Sequence, residues 1–285
     1  MPVRRLAEDP ASRLAIWARR IAGFSLPVVL LAIIIARAGL LEIVPILATF
    51  GAALAMAVIA ILLALISLIG IWRHGIEGLG AALTAIAISV ALLAYPSYLG
   101  VLGYRLPQIN DITTDPIDPP RFETIGRLRS RQANPIAYAG LYAAEQQKAA
   151  YPDIVPLDLD VSPQAAYDAT MAVITKRRWQ VINARAPQGG REGYIEAVAR
   201  TLIMGFRDDV AIRIRAIPRR LGARVDVRSA SRYGRGDFGT NARRIRALLA
   251  DIDDVSSAPE KPEGPARPAP KPKQPPPKGN QAKGR

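Results

Sequence analysis

Residues Ile43 to Ile71, IVPILATFGAALAMAVIAILLALISLIGI, carry no charged side chain. That run exceeds the roughly 20 apolar residues an α-helix needs to cross a hydrocarbon core of about 30 Å. Water is absent from such a core, so the backbone must satisfy its own donors and acceptors by forming a helix. Working outward, Leu79 to Tyr104 meets the same criterion. Ile21 to Ala36 is shorter and stops at Arg37; it spans with Arg19, Arg20 and Arg37 snorkelling toward water. No small-x-small site leads from it into a polar start, so it reads as a span rather than a cleaved signal. Charged residues between 21 and 104 are confined to Arg37, Glu42, Arg73 and Glu77, near the ends of the spans. An intramembrane proton or ion relay is therefore not expected. Gly51 and Ala55, with Ala81, Ala82, Ala85 and Ala87, offer small-residue faces for close helix approach.

The chain has 285 residues and a net charge of +14, and more than half of that excess lies in residues 1–20 and 257–285. On a membrane protein, basic flanks are first topology signals and lipid contacts. Arg4, Arg5, Arg13, Arg19 and Arg20 precede the first span and Arg73 follows the second, whereas the first loop offers Arg37 beside Glu42. The expected orientation places the N-terminus in the cytoplasm and, after three crossings, everything beyond Tyr104 on the far side. The Ala/Arg-rich composition points to the bacterial inner membrane and hence to the periplasm. Trp17 and Trp72 at one end of the spans, and Tyr95, Tyr98 and Tyr104 at the other, fit interfacial belts, although Tyr95-Pro96 also permits a kink or an early exit.

Beyond the spans, 105–135 reads as an irregular connector rich in Asp, Thr and Pro, 136–255 as a domain and 256–285 as a disordered Pro/Lys-rich tail. A helix is expected over Ile136 to Ala150 and a strand over Leu157 to Val161. Ser162-Pro163 supplies an N-cap and a proline at the first helical position for a second helix to about Arg178. Trp179 to Ala184, Tyr194 to Met204, Asp209 to Ala216 and Ala223 to Ser231 read as strands, and Asp237 caps a last helix to about Leu249. The expected fold is thus a three-helix transmembrane anchor followed by an α+β domain with a mainly antiparallel sheet and helices on one face.

Period-two reading sorts the sheet. Ile195, Ala197, Ala199, Thr201, Ile203, Val210, Ile212, Ile214, Val225 and Val227 share one face; Glu196, Arg200, Asp209, Arg213, Arg215, Arg224, Asp226, Arg228 and Arg232 share the other. The charged face reads as a solvated lattice of cross-strand pairs, each worth about 0.2–1 kcal/mol, or as a surface whose surplus arginines meet a ligand.

Chemistry-bearing groups are few. Cysteine is absent, which removes thiolate metal sites and a cysteine nucleophile, and the single histidine, His74, lies between the second and third spans. A Ser-His-Asp triad within the domain is therefore not expected, nor is any cofactor or metal site. Asp111, Asp115 and Asp118 read as turn or cap residues. Gly234, Gly236 and Gly239 satisfy G-x-G-x-x-G, but the helix they open is the last element, so no second parallel strand exists to complete a dinucleotide site. Two readings of that turn remain: tight-turn geometry, and an anion site in which Arg228, Arg232 and Arg235 converge with the Gly234, Gly236, Asp237 and Asn241 segment.

The segments Ile109 to Asp115, Tyr151 to Asp153, Glu196 to Thr201, Phe206 to Val210 and Asp226 to Arg246 together resemble domain of unknown function 1499. The resemblance implies a membrane-associated bacterial domain and brings no activity or catalytic residues. Expected partners are the lipid bilayer, an anionic lipid or envelope polymer, or a protein; nucleic acid is not, because no basic patch interleaved with aromatics appears. The leading function is non-enzymatic binding of an anionic envelope component or a protein. The alternative is a hydrolase-like enzyme centred on Asp208, Asp209, Asp226, Ser229 and Asn241. Alkaline phosphatase fused after Leu106 is expected to be active; an inactive fusion paired with a fluorescent cytoplasmic reporter at the same site reverses the orientation.

Overall fold

The computed structural model describes residues 11–257. Arg4, Arg5 and all but the first two residues of the expected tail lie outside the described residues. Three helices are long and apolar enough to cross a membrane: α1 (Arg13–Ala38), α2 (Ile43–His74) and α3 (Leu79–Arg105). The first begins eight residues earlier than the apolar run suggests, because Ser12 accepts a hydrogen bond from the Ala15 amide and caps it. The helix thus takes in Arg13, Arg19 and Arg20, from the segment expected as a basic leader. A bridge between Ala11 and Glu77 sets the start of α1 beside the start of α3, so both run toward the domain. His74 ends α2 at the opposite, domain-distal end.

Small residues pack the bundle, though not all of those expected. Ala15, Ala18 and Ala22 of α1 meet Ala60 and Ala64 of α2 and Ala82 and Ala85 of α3, while Gly51, Ala55 and Ala87 face outward. Outer faces carry exposed Leu30, Leu62, Ile66 and Val90, as lipid contact requires. Helix α3 continues through Pro96 to Arg105, so the early exit at Tyr95-Pro96 does not occur.

The domain adds β1 (Asp111–Thr113), a short 3₁₀ helix (Ile125–Leu128), α4 (Leu141–Ala150), β2 (Leu157–Leu159), α5 (Pro163–Lys176), β3 (Gln180–Arg185), β4 (Gly193–Arg200), β5 (Arg207–Ala216), β6 (Ala223–Ser231) and α6 (Thr240–Ser257). The six-stranded sheet has the order β1-β6-β5-β4-β3, with β2 on the other end of β6, and its pairings are antiparallel. Ser162 caps α5 as expected, accepting from the Ala165 amide at 3.2 Å. Val173 and Ile174 of α5, with Ile245, Leu248 and Ile252 of α6, pack on the Ile195, Ile212, Ile214, Val225 and Val227 face. Each such aliphatic side chain contributes about 1.5–3 kcal/mol on full burial.

Two expectations fail together. The 105–135 connector is not irregular throughout: β1 extends the sheet at β6, and α4 begins at Leu141 rather than Ile136. Nor is the charged face solvated. Residues 114–138 lie across it as a strap, and Phe122, Ile125 and Ile136 pack against Tyr194, Val198, Ala211 and Ala230.

Underneath, every charge meets a partner. Glu196, fully buried, accepts from the amides of Glu123 (2.5 Å), Thr124 (2.9 Å) and Ile125 (3.2 Å) at the start of the 3₁₀ helix. Asp209 accepts from Arg129 Nε at 2.7 Å and from Arg232 Nη2 at 2.8 Å. Arg213 donates to Asp118 at 2.7 Å and to Asp226 at 3.2 Å. Arg228, 3% exposed, donates twice to Asp111 (3.0 and 2.7 Å) and to the carbonyls of Pro120 and Ile136, while lying over the rings of Phe122 and Tyr138. Asp111 comes from β1, and the strap supplies Asp115, Asp118 and Arg129, where Asp115 turns the chain with its Oδ1 accepting from the Ile117 and Asp118 amides.

A solvated ladder and a buried lattice predict different costs. Asp209→Ala leaves Arg129 and Arg232 buried without their counter-ion, so it is expected to destabilise the domain by about 3–5 kcal/mol. A solvated pair would cost about 0–1 kcal/mol. Chemical denaturation of the detergent-solubilised full chain distinguishes them.

Candidate functional site

A cleft of about 760 Å³ opens between the domain-proximal ends of α2 and α3 and the edge of the α+β domain. Three short structures build it. The first is the Thr201–Phe206 turn between β4 and β5. The sequence reads as strand to Met204, but the strand ends at Arg200, and Thr201-Leu-Ile-Met-Gly-Phe206 turns instead. The Thr201 amide bonds the Phe206 carbonyl and its hydroxyl accepts from the Phe206 amide at 2.9 Å, closing the loop. Gly205 has φ +68, and a Cβ there would lie 2.9 Å from Arg37 Cγ; only glycine allows the turn to approach α1 this closely. Arg37 Nη1 donates to the Leu202 carbonyl at 2.6 Å and to the Ile203 carbonyl at 3.2 Å, and Arg200 returns a bond to the Arg37 carbonyl at 3.1 Å.

The second structure is the glycine-rich turn between β6 and α6. Asn110 and Asn134 both donate to the Gly234 carbonyl, at 2.7 and 2.9 Å. Phe238 packs against α3 where Gly103 lacks a side chain. Asp237 accepts from the Gly239 amide at 2.9 Å and the Asn241 amide at 2.7 Å, which caps α6. Two donors at the start of α6 are thus taken by a carboxylate of the chain itself. Burial pushes the Asp237 carboxyl above its ordinary range, opposed by those two amides.

The third is the cleft floor. Arg244 Nη2 donates to Asp208 at 2.5 Å, and its Nη1 donates to Ser229 Oγ at 2.9 Å and Asn241 Oδ1 at 2.5 Å. Ser229 Oγ donates to Asn241 Oδ1 at 2.8 Å, and Asn241 Nδ2 donates to Ser231 Oγ at 3.0 Å. Burial raises the Asp208 carboxyl above the usual carboxylate range, against Arg244 and Ser231, which lower it, while neighbouring Asp209 raises it further.

The expected residues are therefore scattered. Arg228 and Arg232 are buried under the strap, bonded to Asp111 and Asp209, and do not converge with Arg235. The reason is sheet geometry: even-numbered residues of β6 face the strap, while Arg235, beyond the strand, is exposed on the cleft rim with Gly234 and Gly236. Asp237 caps α6, and Asn241 is buried behind the floor, bonded to Ser229, Ser231 and Arg244. The alternative constellation divides likewise, since Asp208, Ser229 and Asn241 lie on the helix side of the sheet and Asp209 and Asp226 lie under the strap.

Sequence reading singled out Arg235 but missed the rest of the rim. Arg200, Arg207, Arg235 and Arg243 line the cleft, are exposed, and form no ion pair among the described residues. The legible signal was the apolar Thr201–Phe206 segment flanked by Arg200 and Arg207, which alternation absorbed into a strand.

Residues 111–252 match the model of a family described as protein of unknown function (DUF1499). No curated protein matches the chain. The family match runs from β1 into α6, so it takes in the strap and the cleft floor and leaves out the helical wall.

A raised carboxyl binds its proton more tightly in the folded chain than in the unfolded one. Asp208's contribution to stability therefore falls as pH rises from the ordinary carboxylate range through the raised value. The stability gap between the wild type and Asp208→Asn, measured by denaturation over a pH series, is expected to narrow with rising pH through that window; a widening gap assigns Asp208 as an ordinary paired anion.

Proposed function

The chain belongs, through residues 111–252, to the family described as protein of unknown function (DUF1499), and from that premise we propose that it is a membrane-anchored envelope protein that binds an anionic group in the junction cleft. The observation that carries this reading is the rim: four arginines around one cavity without carboxylate partners among the described residues. Elsewhere in the domain the fold supplies a counter-charge wherever an arginine is buried. Cations left unpaired around a concave site are matched by charge from outside, and guanidinium groups favour phosphate and carboxylate because their planar donors bond two oxygens at once.

The same reading puts the domain on the periplasmic face of a bacterial inner membrane. Its support is the arginine-rich end of the bundle, where Arg13, Arg19, Arg20 and Arg73 lie opposite the domain. Binding is favoured over hydrolysis because Ser229 is held by Arg244 and Asn241, and because the sheet itself separates Asp208 from Asp209 and Asp226.

Inorganic phosphate is the simplest probe. Calorimetry on the detergent-solubilised full chain at low ionic strength is expected to show binding that weakens with salt. Arg207→Ala and Arg235→Ala each remove a charge-assisted contact of about 1.5–3 kcal/mol, and each should weaken phosphate binding roughly tenfold or more with an unchanged melting temperature. Absence of phosphate binding by the wild type, or wild-type affinity in both variants, refutes the reading.

A further inference from the structure

We infer that the anion is the headgroup of a bilayer lipid, an anionic glycerophospholipid that enters the cleft sideways from the membrane with an acyl chain against α2 and α3. This rests on the anion-binding reading above and goes beyond it by naming the ligand class. Three observations carry it. The first is the composition of the helical wall: Leu47 and Leu99, with the ring of Tyr95, line the cavity, and each belongs to a helix long and apolar enough to span. A small soluble anion needs no such wall. A lipid chain does, because its burial is worth free energy in proportion to the apolar area covered.

The second is the height at which the opposite wall is held. The Thr201–Phe206 turn is apolar, and Leu202 at its tip is 91% exposed. An antiparallel hairpin that faced water would carry polar residues there. Arg37 fastens the Leu202 and Ile203 carbonyls to the end of α1, next to Leu40 and Leu41, which are 72% and 53% exposed. These exposed leucines form an apolar skirt at the end of the bundle, so the turn dips into the bilayer interface and the cleft mouth between it and α3 opens to lipid.

The third is the order of the groups. Leu47, Tyr95 and Leu99 belong to the spans, whereas Arg207, Arg235 and Arg243 belong to the domain side of the same cavity. Apolar wall and cationic rim thus follow one another along the direction from membrane to water, the order of chain and headgroup in a bilayer lipid. The volume of about 760 Å³ accommodates a headgroup and the first part of a chain, within the 300–1,000 Å³ usual for ligand sites. Zwitterionic lipids share the chain but lack the net charge that unpaired arginines select.

Native mass spectrometry of the full chain, released from detergent micelles doped with equal phosphatidylglycerol and phosphatidylcholine, reads the lipid directly. One phosphatidylglycerol per chain is expected, retained at least tenfold over phosphatidylcholine. Leu99→Trp and, separately, Leu47→Trp fill the apolar wall; each is expected to cut phosphatidylglycerol retention about tenfold while inorganic phosphate binds as in the wild type. Arg207→Ala is expected to weaken both ligands. Phosphate binding without phosphatidylglycerol retention, equal retention of the two lipids, or retention unchanged in both tryptophan variants overturns the lipid assignment and leaves the anion reading standing. Loss of wild-type binding to phosphate and lipid alike overturns both.

Discussion

Arg228 is where the two layers of the domain are joined. It stands on β6, an interior strand of the sheet, yet its partners are Asp111 of β1 and the Pro120 and Ile136 carbonyls of the segment that crosses the sheet face. Moving a charge out of water costs several kcal/mol even after relaxation, and a buried pair repays that only when remaining donors are also satisfied. Glu196, Asp209 and Arg213 likewise find their counter-groups in the strap, although Arg129 Nη2 and Asp226 Oδ1 stay buried without a partner. The charged face can therefore be dry only with the strap in one register.

That constraint reaches the membrane. The strap begins at β1, six residues after α3 ends, so anchoring Asp111 under Arg228 also fixes the domain at the mouth of the helix bundle. Arg37 and Gly205 complete the contact from the other side by drawing the β4–β5 turn onto α1. The cleft is the space left between these two attachments. Its shape follows from the packing of strap and turn, and its polar floor follows from Arg244, which holds Asp208, Ser229 and Asn241 in one network.

Arginine does two jobs in this chain, separated by where its counter-charge comes from. Arg129, Arg213, Arg228 and Arg232 are matched from within and act as structure. Arg200, Arg207, Arg235 and Arg243 carry no matching carboxylate among the described residues and stand around the cavity. Net charge alone does not tell these groups apart, which is why a chain of +14 reads as uniformly basic until its partners are located. The glycine-rich turn shows the same distinction in reverse, since the Asp237 carboxylate takes the Gly239 and Asn241 amides at the start of α6.

Local features were legible in the amino-acid order because they depend on near neighbours. The apolar runs set the three spans, alternation of Ile195, Val210, Ile212, Val225 and Val227 set the buried sheet face, and Ser162-Pro163 set the start of α5. Asp111 and Arg228 stand 117 residues apart, and Arg129 and Asp209 stand 80 apart. Nothing in the periodicity of either segment says that they meet. Alternation shows that charges share a face, but whether that face meets water or another layer is decided by whatever the chain lays over it. For the same reason, only the tertiary structure separated paired from unpaired arginines and made a cleft of Tyr95, Arg207 and Arg235, because pairing and concavity are properties of assembled distance rather than of order along the chain.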